Sequence, residues 1–194
     1  MKLTPKIQQA IIKAAILHSD QVRKEGNFPF IIHPYSVAAI LSNYTDNEDI
    51  IIAGLLHDVL EDVPGYSESD MRRDFGDKIT EIVKGVSEDK DPNNKSNEKE
   101  SWQYRKNKYL EGLKNDSQES LMVCAADKIH NLSSMTEAYK EKGAVAFVNF
   151  NSSIEQRMEF HKNVLKILKE RLENNIVFEL EKKQKEAKKL FKLS

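Results

Sequence analysis

His57, Asp58, Glu61 and Asp62 fall within six consecutive positions of an otherwise apolar stretch, AGLLHDVLEDV at residues 53–63. Burying charged groups without partners is costly, and a divalent cation among them offsets that cost. If the stretch is a single helix, residues four apart share a face. His57 then lies with Glu61, and Asp58 with Asp62. The two pairs stand about 100° apart around the axis, so all four occupy one arc while Leu55, Leu56, Val59 and Leu60 are left to pack. Imidazole nitrogen combined with carboxylate oxygen suits Mn, Fe, Co or Zn. The competing reading is a helix end exposed before Pro64, with solvated acids and one satisfied core histidine. That reading accounts for a lone histidine better than for adjacent His-Asp followed by Glu-Asp.

One helix supplies two ligands of such a site easily, and the others must come from elsewhere in the chain. FIIHPY places His33 directly before a proline that can start a helix. VCAADKIHNL places Asp127 in the middle of an apolar run, the least comfortable position for an unpaired carboxylate. Each has an ordinary explanation when taken singly: His33 caps a turn, and Asp127 pairs with Lys128 or an arginine. Together they complete a His/His/Asp/Asp set.

The elements that must bring these segments together are helices. The chain has 194 residues, 39% hydrophobic and 31% charged, which is enough for one folded domain with a real core. Glycine and proline are scarce, and apolar residues recur at helical spacing almost everywhere. The expected helices begin at Thr4, the N-cap before Pro5, and then at about Pro34. Another begins near Asp46 and runs unbroken to Pro64. Further helices are expected over SESDMRRDF, GDKITEIVKGVSE, SWQYRKNKYLEGLKN and SQESLMVCAADKIHNLSSM, then at residues 152–173 and 176–193. Asp116 and Glu119 read as a capping-box pair. Residues 23–34 read as a loop, with FPFII as the nearest approach to a strand, and residues 88–100 as an exposed mobile loop. The fold class is all-α.

Net charge is −1, giving no global case for nucleic acid or an acidic membrane surface. Cys124 is the only cysteine, so neither an intrachain disulfide nor a cysteine-rich zinc site is available. The N-terminal MKLTPKIQQA lacks the apolar core of a signal peptide. No stretch nears the roughly 20 apolar residues of a membrane span. A cytoplasmic protein is the expectation.

The ordered pattern Arg23-Lys24, GNFPFIIHP, LLHDVLED, DFGDKI and AADKIHNL resembles the HD-superfamily metal-dependent phosphohydrolases. Within that superfamily it is most similar to the Rel/Spo-type hydrolase domain, which removes the 3′-pyrophosphate of (p)ppGpp. The resemblance covers residues 5 to about 172 and implies a helical bundle of roughly eight to ten helices. It divides the chain into an HD-type domain over residues 1–175 and a C-terminal amphipathic helix over 176–194, part of the same domain or an oligomer contact. It implies His33, His57, Asp58 and Asp127 as ligands to one divalent ion, usually manganese. Glu61 and Asp62 match the catalytic pair that positions or deprotonates water, and Arg23, Lys24 and Asn131 match residues around the purine and phosphates. Three features depart from the family pattern: one extra residue between Arg23 and His33, Phe30 in place of tyrosine, and Ser133 after HNL.

Lys90 and Arg105 flank the 88–100 loop and are candidates to reach substrate phosphates, as is Lys128, against the alternative of solvated surface charge. Trp102 and Tyr104 are candidates to stack on a base or simply to pack. His18, His130 and His161 are assigned to structure, with the role of His130 open. The lysine-rich tail from residue 179 reads as a solvated amphipathic helix able to pack on the body or on a second copy. The expected substrate is a guanosine 3′-diphosphate 5′-di- or triphosphate. The alternatives are the same chemistry on another nucleotide or phosphoester, or a metal-bound module without catalysis.

Overall fold

A computed structural model describes residues 1–23, 28–88, 98–148 and 150–193 of the chain. The architecture is all-α. The described helices are α1 (Pro5–Leu17), α2 (Ile32–Leu41), α3 (Glu48–Leu56), α4 (Val59–Asp62), α5 (Glu68–Phe75), α6 (Asp77–Val86), α7 (Glu98–Leu113), α8 (Gln118–Lys142), α9 (Ile154–Arg171) and α10 (Ile176–Leu190). A short 3-10 helix, Gly143–Phe147, follows α8. β-type pairing among the described residues is a single isolated bridge between Val22 and Pro29.

Local chemistry fixes most helix starts. The Thr4 hydroxyl accepts the Ile7 N–H, and Pro5 takes the first position of α1, where its missing donor is harmless. Capping boxes, in which side chain and backbone satisfy each other, pair Ser67 with Asp70 on α5 and Ser153 with Gln156 on α9. At α8 the cap is Ser117, which accepts from the Ser120 N–H. The expected Asp116–Glu119 pair is therefore one residue out of register. Asp116 lies instead beside Gly85 of α6, where its Oδ1 is 3.3 Å from the position a Cβ would take. Gly76 joins α5 directly to α6 at φ 88°, a left-handed conformation that glycine adopts without strain.

Two helices are buried all round and form the axis of the bundle. Every residue of α3 from Ile50 to Leu56 is buried, as is every residue of α8 from Ser120 to Ile129. Helices apolar on all faces need neighbours on all faces. α8 has α2, α3, α6, α9 and α10 packed against it, and α3 has α1, α2 and α6. This places α2, α3 and α8, the carriers of His33, the HD pair and Asp127, in mutual contact.

Several expected boundaries move. α1 stops at Leu17, five residues before Val22. α2 begins at Ile32, ahead of Pro34, and α7 begins at Glu98, inside the segment expected to be a loop. The rest of that loop call, like Lys24 and Lys90, lies outside the described residues. α8 runs seven residues beyond Met135 to Lys142 because Met135 and Ala138 continue its buried face. The tail helix α10 buries Ile176, Val177, Leu180 and Ala187, with Phe191 just beyond its end. The Phe191 ring meets Tyr139 of α8 at 5.0 Å between centroids, so this helix is packed rather than wholly solvated.

The α6–α8 contact offers a test of this packing. A Cβ on Gly85 would lie 2.9 Å from Ser120 Cβ and 2.6 Å from its Oγ, which already bonds Ile82 O. Gly85→Ala is expected to cost about 1–3 kcal/mol in overpacking, partly offset by about 1 kcal/mol of helix propensity. A lowered urea midpoint is the expected readout, and an unchanged or raised midpoint contradicts the contact.

Candidate metal centre and adjoining chamber

The expected unbroken helix from Asp46 to Pro64 is not what forms. α3 ends at Leu56, two residues intervene, and α4 covers Val59–Asp62. His57 and Asp58 keep right-handed helical dihedrals. The His57 Nδ1 lies 2.9 Å from Gly54 O, the carbonyl that a continued helix would offer to the Asp58 N–H. The side chain has taken a backbone position. Face arithmetic for one straight helix therefore fails at the HD pair itself. His57, Asp58, Glu61 and Asp62 nevertheless all line the same small cavity of about 190 Å³.

Gly54 O can only accept, so His57 Nδ1 carries the hydrogen, and the ring turns its Nε2 toward the cavity. His33, 2% exposed, approaches from α2. Its Nδ1 is 2.8 Å from the Nδ1 of His130 and its Nε2 is 3.1 Å from the Nε2 of His57. Burial holds the His33 ring uncharged, lowering its pKa to about 3, with His57 and Arg23 adding to the effect and Asp127 opposing it. In the tautomer in which His33 Nδ1–H donates to His130, both Nε2 atoms are acceptors. Asp58 and Asp127 add oxygens. Asp58 Oδ1 is 3.2 Å from His57 Nε2, its Oδ2 is 3.4 Å from His33 Nε2, and Asp127 Oδ1 is 3.3 Å from His33 Nε2.

These acceptors approach one another at 3.1–3.4 Å, with His57 Nε2 and Asp127 Oδ1 further apart at 3.9 Å, and they repel unless a cation lies among them. Two donors each about 2.1 Å from one ion and set at right or tetrahedral angles lie about 3.0–3.4 Å apart. The residues therefore fit a divalent metal, and His33, His57 and Asp58 form a potential metal-holding group among the described residues. The electrostatics carry the same mark. Burial pushes the Asp58 carboxyl up to about 6, with Asp127 and Asp62 reinforcing the shift and His57 resisting it. Burial also disfavours charge on Asp127, but Lys128 and His33 overcome it and hold that carboxyl well below the usual range.

Asp127 is pinned from both sides. Lys128 Nζ contacts its Oδ2 at 2.6 Å, and Asn131 Nδ2 donates to its Oδ1 at 2.5 Å. Arg23 donates to Asn131 Oδ1 at 3.2 Å. The ordinary pairing of Asp127 with Lys128 and the ligand geometry thus coexist on different oxygens. α4 is anchored through Gln21, which donates to Asp62 O at 2.7 Å and contacts His18 Nδ1 at 2.7 Å. This gives His18 the structural place expected of it.

A second chamber of about 420 Å³ adjoins the first, with Arg23, Phe30, Glu61, Glu88, Lys106, Lys128 and Asn131 in the walls of both. Its outer walls include Trp102 and Arg105 from α7, Met135 from α8, and Arg157, Phe160 and His161 from α9. Glu61 stands at the junction, its Oε2 accepting the Glu88 N–H at 3.1 Å. Arg23, Arg105, Lys106, Lys128 and Arg157 face it, against the acids Glu61 and Glu88. Glu88 is paired with Lys106, and Arg105 Nε lies 3.7 Å from it. Trp102 lines the chamber, whereas Tyr104 is 65% exposed and lies outside it.

Sequence reasoning missed Glu88, Arg157, and the places of His130 and His161. His130 supports His33 rather than the core. His161 is four residues beyond Arg157, one helical turn, so the pair was legible as a polar stripe on α9. The buried Met158, Phe160 and Val164 around it give the stronger signal of a core face.

A model of the HD domain family matches residues 10–151 of the chain. The GTP pyrophosphokinase of Streptomyces coelicolor is 35% identical over 137 residues, 70% of this chain and 15% of that protein. The bifunctional (p)ppGpp synthase/hydrolase SpoT of Escherichia coli is 32% identical over 138 residues, 71% of this chain and 19% of that protein. The chain thus spans less than a fifth of these curated relatives. Among solved structures, a metazoan SpoT ortholog described as hydrolysing ppGpp superposes with a TM-score of 0.75. It is 26% identical, and the match covers 97% of each chain. No helix among the described residues is long and apolar enough to cross a membrane.

Two expectations follow. A ligand that binds only the folded state stabilises it, by about 2.7 kcal/mol at a hundredfold excess over its dissociation constant. Mn²⁺ is therefore expected to raise the melting temperature of chelator-treated protein, and Asp58→Asn to remove most of that rise; an equal rise in both contradicts the centre. The second concerns pH. Burial, reinforced by Lys128, lowers the His161 pKa from 6.5 to about 3. Between those values the unfolded chain holds the extra proton, so stability falls as pH drops through that window. His161→Leu is expected to flatten this acid loss in melts of metal-free protein, and a loss as steep as the wild type's contradicts it.

Proposed function

The chain belongs to the HD-domain family, and on that premise we propose that it is a phosphohydrolase that releases pyrophosphate from the 3′ position of guanosine 3′-diphosphate 5′-di- or triphosphate, leaving GDP or GTP. The observation that carries this reading is the join between the two cavities. An acceptor cluster fit for one divalent ion opens, past the Glu61–Asp62 carboxylates, into a cationic chamber with aromatic walls.

In this reading His33, His57, Asp58 and Asp127 hold the ion, which we take to be manganese on the family resemblance, since the mixed imidazole and carboxylate donors suit Mn, Fe, Co or Zn alike. When bound, it supplies Lewis-acid polarisation of a phosphoryl oxygen and a lowered pKa for water. The protein's own groups do the rest. Glu61, at the junction, takes the proton from the attacking water, in the role of general base. Asp62, lining the smaller cavity beside Asp58, orients that water or returns a proton to the leaving oxygen. Arg23 and Lys128 lie where charge gathers on the phosphoryl oxygens, and preset cations there need no rearrangement during the reaction. Lys106 and Arg105, bridged by Glu88, border the same space. Lys24 and Lys90 are carried as substrate contacts on the family resemblance alone.

The walls also fit a nucleotide better than a small phosphoester. Trp102, Phe150 and Phe160 line the larger chamber but not the smaller cavity and give flat apolar area there, while Phe30 borders both, and aromatic faces stack on bases. A non-catalytic metal module has no use for Glu61 at the junction.

The test is a nucleotide panel with Mn²⁺. Pyrophosphate release from ppGpp is expected in the wild-type protein, together with a loss of about 10²–10⁴-fold in kcat for Glu61→Gln at unchanged metal content. Release of pyrophosphate at full rate by Glu61→Gln removes it from the base role. Turnover of other nucleotides without ppGpp removes the substrate assignment.

A further inference from the structure

His161 presents a ring nitrogen for which the described residues provide nothing. The residue is 6% exposed and lines the larger chamber from α9. Its Nδ1 is buried with no hydrogen-bond partner among the described residues. Buried polar atoms in native proteins are nearly always satisfied, and an exception calls for an explanation. Here the explanation lies in what surrounds it. Arg157, one turn earlier on α9, holds its guanidinium 4.0 Å from the Phe150 ring centroid. Lys106 and Lys128 place their ammonium groups 4.8 and 5.5 Å from the Phe160 ring, the residue next to His161.

Burial, with Lys128, Lys106 and Arg157 adding to it and Asp127 opposing, disfavours charge on this imidazole. A neutral ring is a poor partner for phosphate beside three better ones. It is well suited to an uncharged polar edge held between aromatic walls. Trp102 stands 6.3 Å from Phe160, edge to face, and both line the chamber with His161.

We propose that His161 is a specificity-determining contact for the nucleoside base of the substrate, its Nδ1 completing a hydrogen bond to a polar atom on the base edge. This rests on the reading of the chamber as a nucleotide site and adds a residue to it. Division of labour follows: the arginines and lysines hold phosphates whatever the base, and His161 reads which base is present. A site built to hydrogen-bond a substrate atom rejects analogues lacking it far more strongly than an apolar pocket does.

The experiment compares wild type, His161→Leu and His161→Asn in the manganese-loaded protein. Asparagine carries an amide nitrogen at nearly the place of the imidazole Nδ1, and leucine carries no polar atom. The readouts are kcat and KM for the guanosine and adenosine 3′,5′-bis(diphosphates), direct binding of both by titration calorimetry, and melting temperature without nucleotide. Leucine is expected to raise KM for the guanosine compound about tenfold or more with kcat within about threefold, and to collapse the guanosine-to-adenosine preference. Asparagine is expected to restore much of both. Because leucine also removes a buried atom without a partner, the leucine variant's melting temperature at neutral pH is expected to equal or exceed the wild type's, the opposite of what loss of a structural histidine gives.

Unchanged KM and preference in the leucine variant overturn the proposal, as does a raised KM with the preference intact. A lowered melting temperature with no rescue by asparagine also overturns it in favour of a structural role. Binding separates this from the hydrolase reading. Nucleotide bound with a His161-dependent preference but never cleaved sinks the hydrolase and keeps the contact. Pyrophosphate release indifferent to His161 does the reverse. No nucleotide binding by the wild-type protein overturns both.

Discussion

Two imidazole nitrogens and two carboxylates from three distant segments are held together as mutual acceptors, and the rest of the architecture answers to that constraint. Acceptors do not gather in a low-dielectric interior of their own accord. The bundle supplies the means. α3 and α8 are apolar on every face, so hydrophobic burial fixes them against α2 without any contribution from the polar groups. The site is mounted on the most deeply buried helices of the fold, where side chains have little freedom to move apart. A divalent cation is what such a cluster fits, a positive centre for lone pairs that the chain leaves facing one another.

The supporting shell has the same logic. Gly54 O sets the tautomer of His57, His130 meets the far nitrogen of His33, and Asn131 and Lys128 occupy the oxygens of Asp127 that face away from the imidazoles or share them. Partners that fix the second atom of each ligand orient the first. The break between α3 and α4 belongs here too. By spending its Nδ1 on a backbone carbonyl, His57 ends one helix and turns the next short one so that Glu61 reaches the junction of the two cavities.

The convergence of His33, His57, Asp58 and Asp127 was foreshadowed in the sequence because it violates composition locally: polar groups at 57, 58 and 127 interrupt runs that otherwise read as core. Helix existence was legible for the same reason as in any amphipathic chain, and the Thr4–Pro5 start was readable from capping chemistry alone. What the residue pattern hid follows from physics that acts at a distance. The helix break at His57 depends on a side chain competing with the backbone, which no periodicity encodes. The shift of the α8 cap from Asp116 to Ser117 depends on how α6 packs beside it. Glu88 and Arg157 are ordinary charges in sequence and become cavity walls only because the segment after α6 and the helices α7 and α9 border the same chamber as Lys128. His161 was masked by its apolar neighbours, since a histidine on a buried face reads as core until its unmet nitrogen is seen.

The claim beneath all of this is that one divalent ion is held jointly by the two histidines and the two aspartates. Pulsed electron paramagnetic resonance of the Mn²⁺-loaded protein addresses it without reference to turnover. The account predicts nitrogen couplings from two imidazoles on a single bound ion, reduced to one in His33→Gln. A spectrum of manganese coordinated by oxygen alone, or one indifferent to His33, contradicts it.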